Sequence, residues 1–162
     1  KVTDYQDTPH LERDLVLVLL GPSSSWCDGQ LPGWRAGGTR IVEVPAVPES
    51  TKRAVLAATD VLVQPSVREA FGIVFLEAWA MGLPVIGAAS GALPAVVADG
   101  GLTFAPNDPV DLARQLRWLL LHAEEGRAMA RRGRERLVRE YTWARVGAAV
   151  EQAYAVAMRT GQ

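Results

Sequence analysis

The sequence has few of the residues that build cross-linked or metal-bound scaffolds. Its 162 residues include one cysteine, Cys27, and two histidines, His10 and His122. A single cysteine excludes a disulfide within the chain and any zinc site built from several cysteines. The two histidines have no spacing typical of metal ligands, so we assign both to structure. With 49% hydrophobic residues, the chain can instead bury an ordinary apolar core.

The chain also lacks an excess of charge and any long apolar segment. Seventeen basic and eighteen acidic residues give a net charge of −1. This balance argues against nucleic-acid binding and membrane-surface binding, which both need a basic excess. No apolar run approaches the roughly 20 residues of a transmembrane helix, and the N-terminus has no apolar core like that of a signal peptide. We expect a soluble, cytoplasmic chain that folds as a single domain over residues 1–162.

Short apolar runs predict the strands. The run at 15–20 is continuous and ends at Gly21-Pro22, which is typical of a strand buried on both faces. Segment 21–38 is rich in glycine, serine and proline and indicates a loop or a poorly formed helix. Further strands are predicted at 41–44, 61–63, 84–87 and 102–104.

Helices are predicted between these strands and in the C-terminal third. Ser50 can cap a helix over 50–58, and Asp108-Pro109 marks the start of another. The remaining helices are predicted at 73–81, 93–98 and 124–140, and along a stripe formed by Trp143, Val146, Val150 and Tyr154. Buried strands that alternate with helices predict an α/β domain with a parallel sheet covered on both faces. Such sheets bind ligands at the carboxyl ends of their strands, here near Gly21, Pro65 and Gly87.

Two glutamates, Glu69 and Glu77, lie in and just after one of these segments. Glu77 stands within an apolar helix, where a buried carboxylate must be hydrogen-bonded. Glu69 lies just before the helix start, close to its free amides, and Gly72 leaves the backbone bare for an anion to approach. The alternative is purely structural: a charge at a helix N-terminus and a carboxylate satisfied by local backbone.

A longer pattern surrounds these glutamates. It runs Pro65-Ser66, Glu69-x-Phe71-Gly72, Glu77-Ala78-x-Ala80-x-Gly82-x-Pro84-Val85 and, later, Gly91-x-x-Pro94. This pattern resembles the group 1 glycosyltransferases, the family 4 retaining enzymes of GT-B fold. Leu17-Val18-x-x-Gly21, Asp108-Pro109 with Leu112, and segment 136–143 resemble the same family in the same order. The resemblance extends over residues 14–154.

The resemblance implies the C-terminal half of a GT-B enzyme, a three-layer Rossmann-like domain that binds a nucleoside diphosphate sugar. A separate N-terminal domain, absent from this sequence, holds most of the acceptor site in that family. Carried over to this chain, Glu77 accepts hydrogen bonds from the ribose hydroxyls, and Glu69 faces the donor sugar near its anomeric centre as the catalytic residue. The other donor-binding residues implied are Phe71 and Gly72 through their amides, Ser66 and Arg68 in the pocket wall, Val44 and Pro45 near the base, and Lys1 at the diphosphate.

The implied activity is transfer of a hexosyl group with retained configuration and without a metal or other cofactor. The absence of any Asp-x-Asp agrees with a metal-free site. The sequence Gly91-Ala92-Leu93-Pro94-Ala95 departs from the usual Gly-Gly-x-Pro-Glu of the family, which leaves the sugar open. Alternatives are a non-catalytic nucleotide-sugar-binding module, half of a GT-B sugar-nucleotide epimerase, or a purely structural domain. We expect the 162-residue chain alone to bind donor but not to transfer sugar.

Overall fold

The structure, a computed structural model, describes residues 15–160 of the chain. It divides into two compact units, Lys1–Lys52 and Arg53–Gln162. Unit 1 contains β1 (Val16–Leu20), α1 (Ser25–Ala36) and β2 (Arg40–Val44), and helix α2 (Glu49–Ala57) runs across the division. Strands β1 and β2 pair in parallel, with Val16 opposite Arg40 and Leu20 opposite Val44. Both predicted strands of unit 1 are therefore confirmed.

Three details of unit 1 and α2 differ from the sequence-based expectation. Segment 21–38 contains a 12-residue helix despite Pro32, and Ser24 caps it by accepting a bond from the Cys27 amide at 3.2 Å. Helix α2 begins at Glu49, so Ser50 lies inside its first turn; the Pro48 carbonyl accepts from the Thr51 and Lys52 amides instead.

The third difference concerns burial of β1. Leu15 is 48% exposed and Val16 and Leu17 are each 43% exposed, so the strand is not buried on both faces within this structure. An apolar run favours the strand conformation, but whether each face is covered depends on which neighbouring layers are present. The prediction of complete burial was therefore wrong.

Unit 2 contains a three-stranded parallel sheet in the order β3-β4-β5, formed by Leu62–Gln64, Val85–Ala88 and Gly101–Phe104. Helix α3 (Ile73–Ala80) joins β3 to β4, and α4 (Leu93–Val97) with a short 3₁₀ turn (Ala98–Gly100) joins β4 to β5. Helices α5 (Pro109–Leu121), α6 (Ala123–Glu140) and α7 (Trp143–Thr160) follow. The Asp108 carboxylate caps α5 by accepting from the Val110 and Asp111 amides, both at 3.0 Å, which confirms the predicted start of that helix.

The core of unit 2 is built on Trp79. Its side chain is fully buried, and its indole Nε1 donates to the Gly100 carbonyl at 2.9 Å. Helix α6 passes close to this indole at Gly133. A Cβ added there would lie 2.3 Å from the nitrogen, so the close approach requires glycine. The predicted pairing of Arg136 with Glu140 is confirmed at 2.9 Å. Parallel sheets flanked by helices confirm the α/β class, and no helix among residues 15–160 is long and apolar enough to cross a membrane.

Candidate functional site

Two loops lie side by side at the carboxyl ends of β3 and β4. The first, 65–72, leads from β3 into α3, and the second, 89–92, follows β4. Ser90 Oγ donates to the Val67 carbonyl at 2.9 Å, and a Cβ on Gly91 would lie 3.5 Å from the Glu69 carbonyl oxygen. Because β3 and β4 are parallel, their following loops meet at one edge of the sheet, as the sequence predicted.

The Glu69 side chain is held at the start of α3. Its Oε1 accepts from the Gly72 amide at 3.2 Å, and its Oε2 accepts from Gln64 Nε2 at 3.5 Å. Glu69 is half-buried at this position. The Gly72 amide, which the resemblance assigned to the donor, thus donates within the protein here. A carboxylate held in this way has a defined position before any ligand arrives.

Gly72 turns the chain into α3. It adopts φ +81° and ψ +51°, and the Phe75 amide donates to its carbonyl at 2.9 Å. A Cβ at this position would lie 2.7 Å from Phe75 Cδ2 and 3.0 Å from Leu93 Cδ2. The backbone conformation and the crowding both require glycine. The first-turn amides of α3 follow directly, beside the Glu69 carboxylate.

Glu77 lies on α3 but is not buried. Phe75, Ala78 and Trp79 occupy the covered face of the helix with no exposed surface, whereas Glu77 is half-buried and Ile73, one turn earlier, is 64% exposed. The expectation of a buried carboxylate was therefore wrong. Apolar residues surround Glu77 in the sequence, but packing covers only one side of the helix. Glu77 therefore lies between the covered face of α3 and its exposed face.

The remaining predicted site residues of unit 2 lie in the same loop, 65–72. Ser66 Oγ accepts from the Arg68 amide at 3.4 Å and shapes the local turn, while the Arg68 side chain is exposed. Phe71 is 37% exposed, and its ring meets the ring of Tyr141 edge-to-face with 5.3 Å between centroids. Sequence reasoning missed this contact, because its partners stand 70 positions apart; the aromatic residue at the end of the charged helix was its only signal.

Val44 and Pro45 belong to unit 1. They end β2, and the Gly21 amide donates to the Val44 carbonyl at 3.0 Å, so the segments after β1 and β2 are neighbours. Pro45 borders a hollow of about 540 Å³ that is also lined by 19–24, Cys27 and Glu43. Lys1 lies outside the described residues. Within residues 15–160, no three His, Cys, Asp or Glu side chains come together as a metal site would require.

Ion pairs and backbone hydrogen bonds displace the pKa values of several side chains in α5 and α6. The pKa of Glu140 is lowered by its hydrogen bonds to Arg139 and Arg136, and that of Arg136 is raised, mainly by the Glu140 bond. The pKa of Asp111 is lowered, first by the bond from the Ala105 amide and then by Arg114. These shifts report ion pairs and capping bonds that stabilise the helices.

Comparison with known proteins places this geometry in a family. The family model for glycosyl transferases group 1 matches residues 5–122. A D-inositol 3-phosphate glycosyltransferase from Salinispora tropica is 35% identical over 156 residues, which covers 86% of this chain and 30% of that protein. Among solved structures, sucrose-phosphate synthase from Thermosynechococcus elongatus has a TM-score of 0.76 at 28% identity, covering 91% of this chain and 39% of its own.

A second solved structure, HepE from Anabaena in complex with UDP-glucose, has the same fold with a TM-score of 0.74 at 19% identity, over 86% of this chain and 40% of its own. The chain spans 30% of the length of the Salinispora relative and 39% and 40% of the lengths of these two solved chains. The two parallel sheets, the loop that holds Glu69 and the matched family model lead to one assignment. The chain belongs to the group 1 glycosyltransferases.

Proposed function

We propose that this chain is the C-terminal donor-binding domain of a retaining glycosyltransferase. The full enzyme would move a hexosyl group from a nucleoside diphosphate sugar to an acceptor, without a metal or other cofactor. The observation that carries the proposal is the Glu69 carboxylate, which accepts from the Gly72 amide just before α3, the helix that carries the half-buried Glu77. A cytoplasmic location, expected from the sequence, stays a prediction.

The proposed roles follow from the chemistry of the donor. The Glu77 carboxylate is an acceptor for the two ribose hydroxyls, which are donors. Glu69 faces the sugar near the bond that breaks, and Ser66 and Arg68 border the same loop. The N-terminus of α3 carries partial positive charge, which stabilises the negative charge that develops on the departing diphosphate. Phe71 follows in the chain and limits the pocket with its half-exposed ring.

Two further contributions are assigned to regions beyond this loop. Val44 and Pro45, at the end of β2, are proposed to border the base, and Lys1 to neutralise the diphosphate. The acceptor site is assigned to the larger part of the enzyme, because this chain spans only 30% of its curated relative. The donor class is supported by HepE, which was solved with UDP-glucose. The non-catalytic module and the epimerase half are less favoured, because the Salinispora relative, which covers 86% of this chain, is named a glycosyltransferase.

The expected affinity can be estimated from the proposed contacts. Two hydroxyl–carboxylate bonds contribute about 1.5–3 kcal/mol each. A diphosphate at a helix N-terminus adds about 0.3–2 kcal/mol. The sum of about 3–8 kcal/mol, before the cost of ordering the ligand and the loop, corresponds to millimolar to micromolar dissociation constants. The isolated chain is thus expected to bind nucleotide weakly.

The test is a titration of the 162-residue chain with UDP, GDP and ADP, followed by amide NMR. We expect one of the three to cause saturable shifts at Glu69, Phe71, Gly72 and Glu77. The variant Glu77→Gln should weaken that binding by about tenfold or more, because it replaces a charged acceptor by a neutral amide. Glu125→Gln, on the exposed side of α6, is the matched control and should bind as the parent chain does. No response to any nucleotide at millimolar concentration, or equal affinity of Glu77→Gln, would contradict the proposed donor site.

A further inference from the structure

Tyr141 stands at the break between α6 and α7. Its ring lies against Phe71 of the loop 65–72, called the donor loop below because the proposed donor site includes it. The ring centroids are 5.3 Å apart and the planes are inclined at 81°, which is an edge-to-face contact. This geometry is a favoured one for aromatic pairs. The sequence separation makes it a connection between two distant elements of unit 2.

Tyr141 is itself held on several sides. Its amide donates to the Leu137 carbonyl at 2.9 Å, and its side chain packs on the core cluster that contains Phe75 and Leu93. The Arg136 guanidinium lies 5.8 Å from the centre of its ring, within the range of a cation–π contact. Tyr141 therefore presents its ring to the donor loop from a fixed position.

Arg136, which lies against the Tyr141 ring, is also bonded to helix α4, the helix after the second loop of the site. Its Nη1 donates to the Val96 carbonyl of α4 at 3.2 Å, and its Nε donates to Glu140 Oε2 at 2.9 Å. Helix α4 directly follows the loop that contains Ser90 and Gly91. The end of α6 thus contacts Phe71 of the first loop and the helix that follows the second loop.

The donor loop needs such a support because its last residue, where the chain turns into α3, is a glycine. Glycine adopts positive and negative φ with similar ease, so the φ of +81° at Gly72 must be selected by contacts on either side. The side chains of Phe75 and Leu93 lie next to Gly72, where both would touch an added Cβ. Before Gly72 stands Phe71, which is 37% exposed and contacts Tyr141 through its ring. This ring contact restrains the backbone that carries the amide bonded to Glu69.

We propose that Tyr141 is a positioning residue for the donor site, acting through Phe71 on Gly72 and Glu69. The inference rests on the proposed function, since the benefit of a fixed Glu69 carboxylate is a site ready for its donor. Tyr141 acts through another residue and does not itself reach the donor.

The test compares Tyr141→Ala and Tyr141→Phe in the 162-residue chain with whichever of UDP, GDP and ADP binds the parent chain. We expect Tyr141→Ala to weaken binding by about 3- to 10-fold, the effect of losing one aromatic pair, and Tyr141→Phe to restore it. In the nucleotide-free protein, Tyr141→Ala should shift the Gly72 amide resonance and speed its exchange with solvent. Leu137→Ala, which removes packing on the same core cluster, is the stability control and should leave that amide unchanged.

The outcomes separate this proposal from the proposed function. Parental affinity and an unshifted Gly72 amide in folded Tyr141→Ala would overturn the positioning role, as would an equal effect of Leu137→Ala. If the parent chain binds no nucleotide, the proposed function fails, and the Gly72 amide of the variants alone decides the structural step. Should Tyr141→Ala not fold, Phe71→Leu removes the same ring pair from its exposed side and must shift the Gly72 amide in its place.

Discussion

Gly72 and Gly82 flank α3, and both adopt a left-handed backbone, with φ of +81° and +77°. Their surroundings differ, because a Cβ on Gly72 would lie 2.7 Å from the Phe75 ring whereas nothing lies within 4 Å of one on Gly82. We expect Gly82→Ala to cost only the conformational term, about 1–2 kcal/mol. Gly72→Ala should cost a further 1–3 kcal/mol or so, because it overpacks a buried ring. Urea denaturation of both variants measures the two free energies of unfolding.

The matched pair isolates the crowding at Gly72. Equal losses in the two variants would mean that the Phe75 ring moves aside at no cost, and that the glycine is required by its backbone conformation alone. A larger loss for Gly72→Ala, accompanied by weaker nucleotide binding, would agree with a loop whose shape depends on the packing beneath it.

At this scale, the sequence predicted the local features of the site and missed the long-range ones. The place of Glu69 before a helix start and the bare backbone at Gly72 follow from neighbouring residues, and both are present. The burial of Glu77 was overestimated, because a sequence of apolar neighbours does not tell which side of α3 is covered. The Phe71–Tyr141 contact depends on how α6 crosses the sheet, which no local pattern encodes.

Helix starts illustrate the same division among the secondary-structure elements. Asp108 was predicted as a cap because an aspartate before Pro109 has a strong local preference, and its carboxylate accepts two first-turn amides. Ser50 was also predicted as a cap, but α2 begins at Glu49. The Pro48 carbonyl, two residues before Ser50, accepts from the Thr51 and Lys52 amides. Helix α1 contains Pro32, which weakens the pattern typical of a helix although the Ser24 cap is present.

Asp111 joins α5 to the end of β5. Its Oδ2 accepts from the Ala105 amide at 2.7 Å, and its Oδ1 accepts from Arg114 Nη2 at 2.6 Å. Both bonds favour the charged form of the carboxyl, so the pKa of Asp111 in the folded protein lies below its ordinary value. A carboxyl with a lowered pKa stabilises the fold above its unfolded pKa, and the stability is lost as the pH falls through the folded pKa.

We therefore expect Asp111→Asn to flatten the fall in the free energy of unfolding as the pH drops below the ordinary pKa of an aspartate, 3.8. Arg114→Gln should retain most of that fall, because the Ala105 bond is the larger cause of the lowered pKa. Denaturation curves at a series of pH values provide the measurement. An unchanged slope in Asp111→Asn would show that other carboxyls dominate the acid sensitivity of the chain.

For the whole molecule, the alternation of apolar strands with helices was enough to predict parallel pairing, since short parallel connections require a helix between strands. All three observed pairings are parallel. Burial could not be predicted in the same way. The runs at β1 and β4 look alike in the sequence, yet Val85 and Ile86 have no exposed surface whereas Val16 and Leu17 are each 43% exposed. The difference arises from the layers packed on each sheet, which are set by the complete fold.

This contrast predicts unequal local stability in the two units. Among the described residues, β4 pairs on both sides, with β3 and β5, whereas β1 pairs with β2 in a two-stranded sheet, so hydrogen bonding already favours stronger protection of β4. Opening β1 exposes little new apolar surface, because its side chains already meet water, whereas opening β4 exposes side chains from the fully buried core. We expect the amides of 17–19 to exchange with solvent at least about tenfold faster than those of 85–87, a difference of about 1.4 kcal/mol.

Native-state hydrogen exchange measured against urea concentration checks this prediction and its cause. The β4 amides should share the urea dependence of global unfolding, whereas the β1 amides should open with a smaller one, because less surface is exposed when unit 1 opens alone. Equal protection and equal urea dependence in both sheets would instead mean that the two units unfold together. In that case the exposed face of β1 would not mark a weaker unit, and the chain would unfold as one cooperative unit.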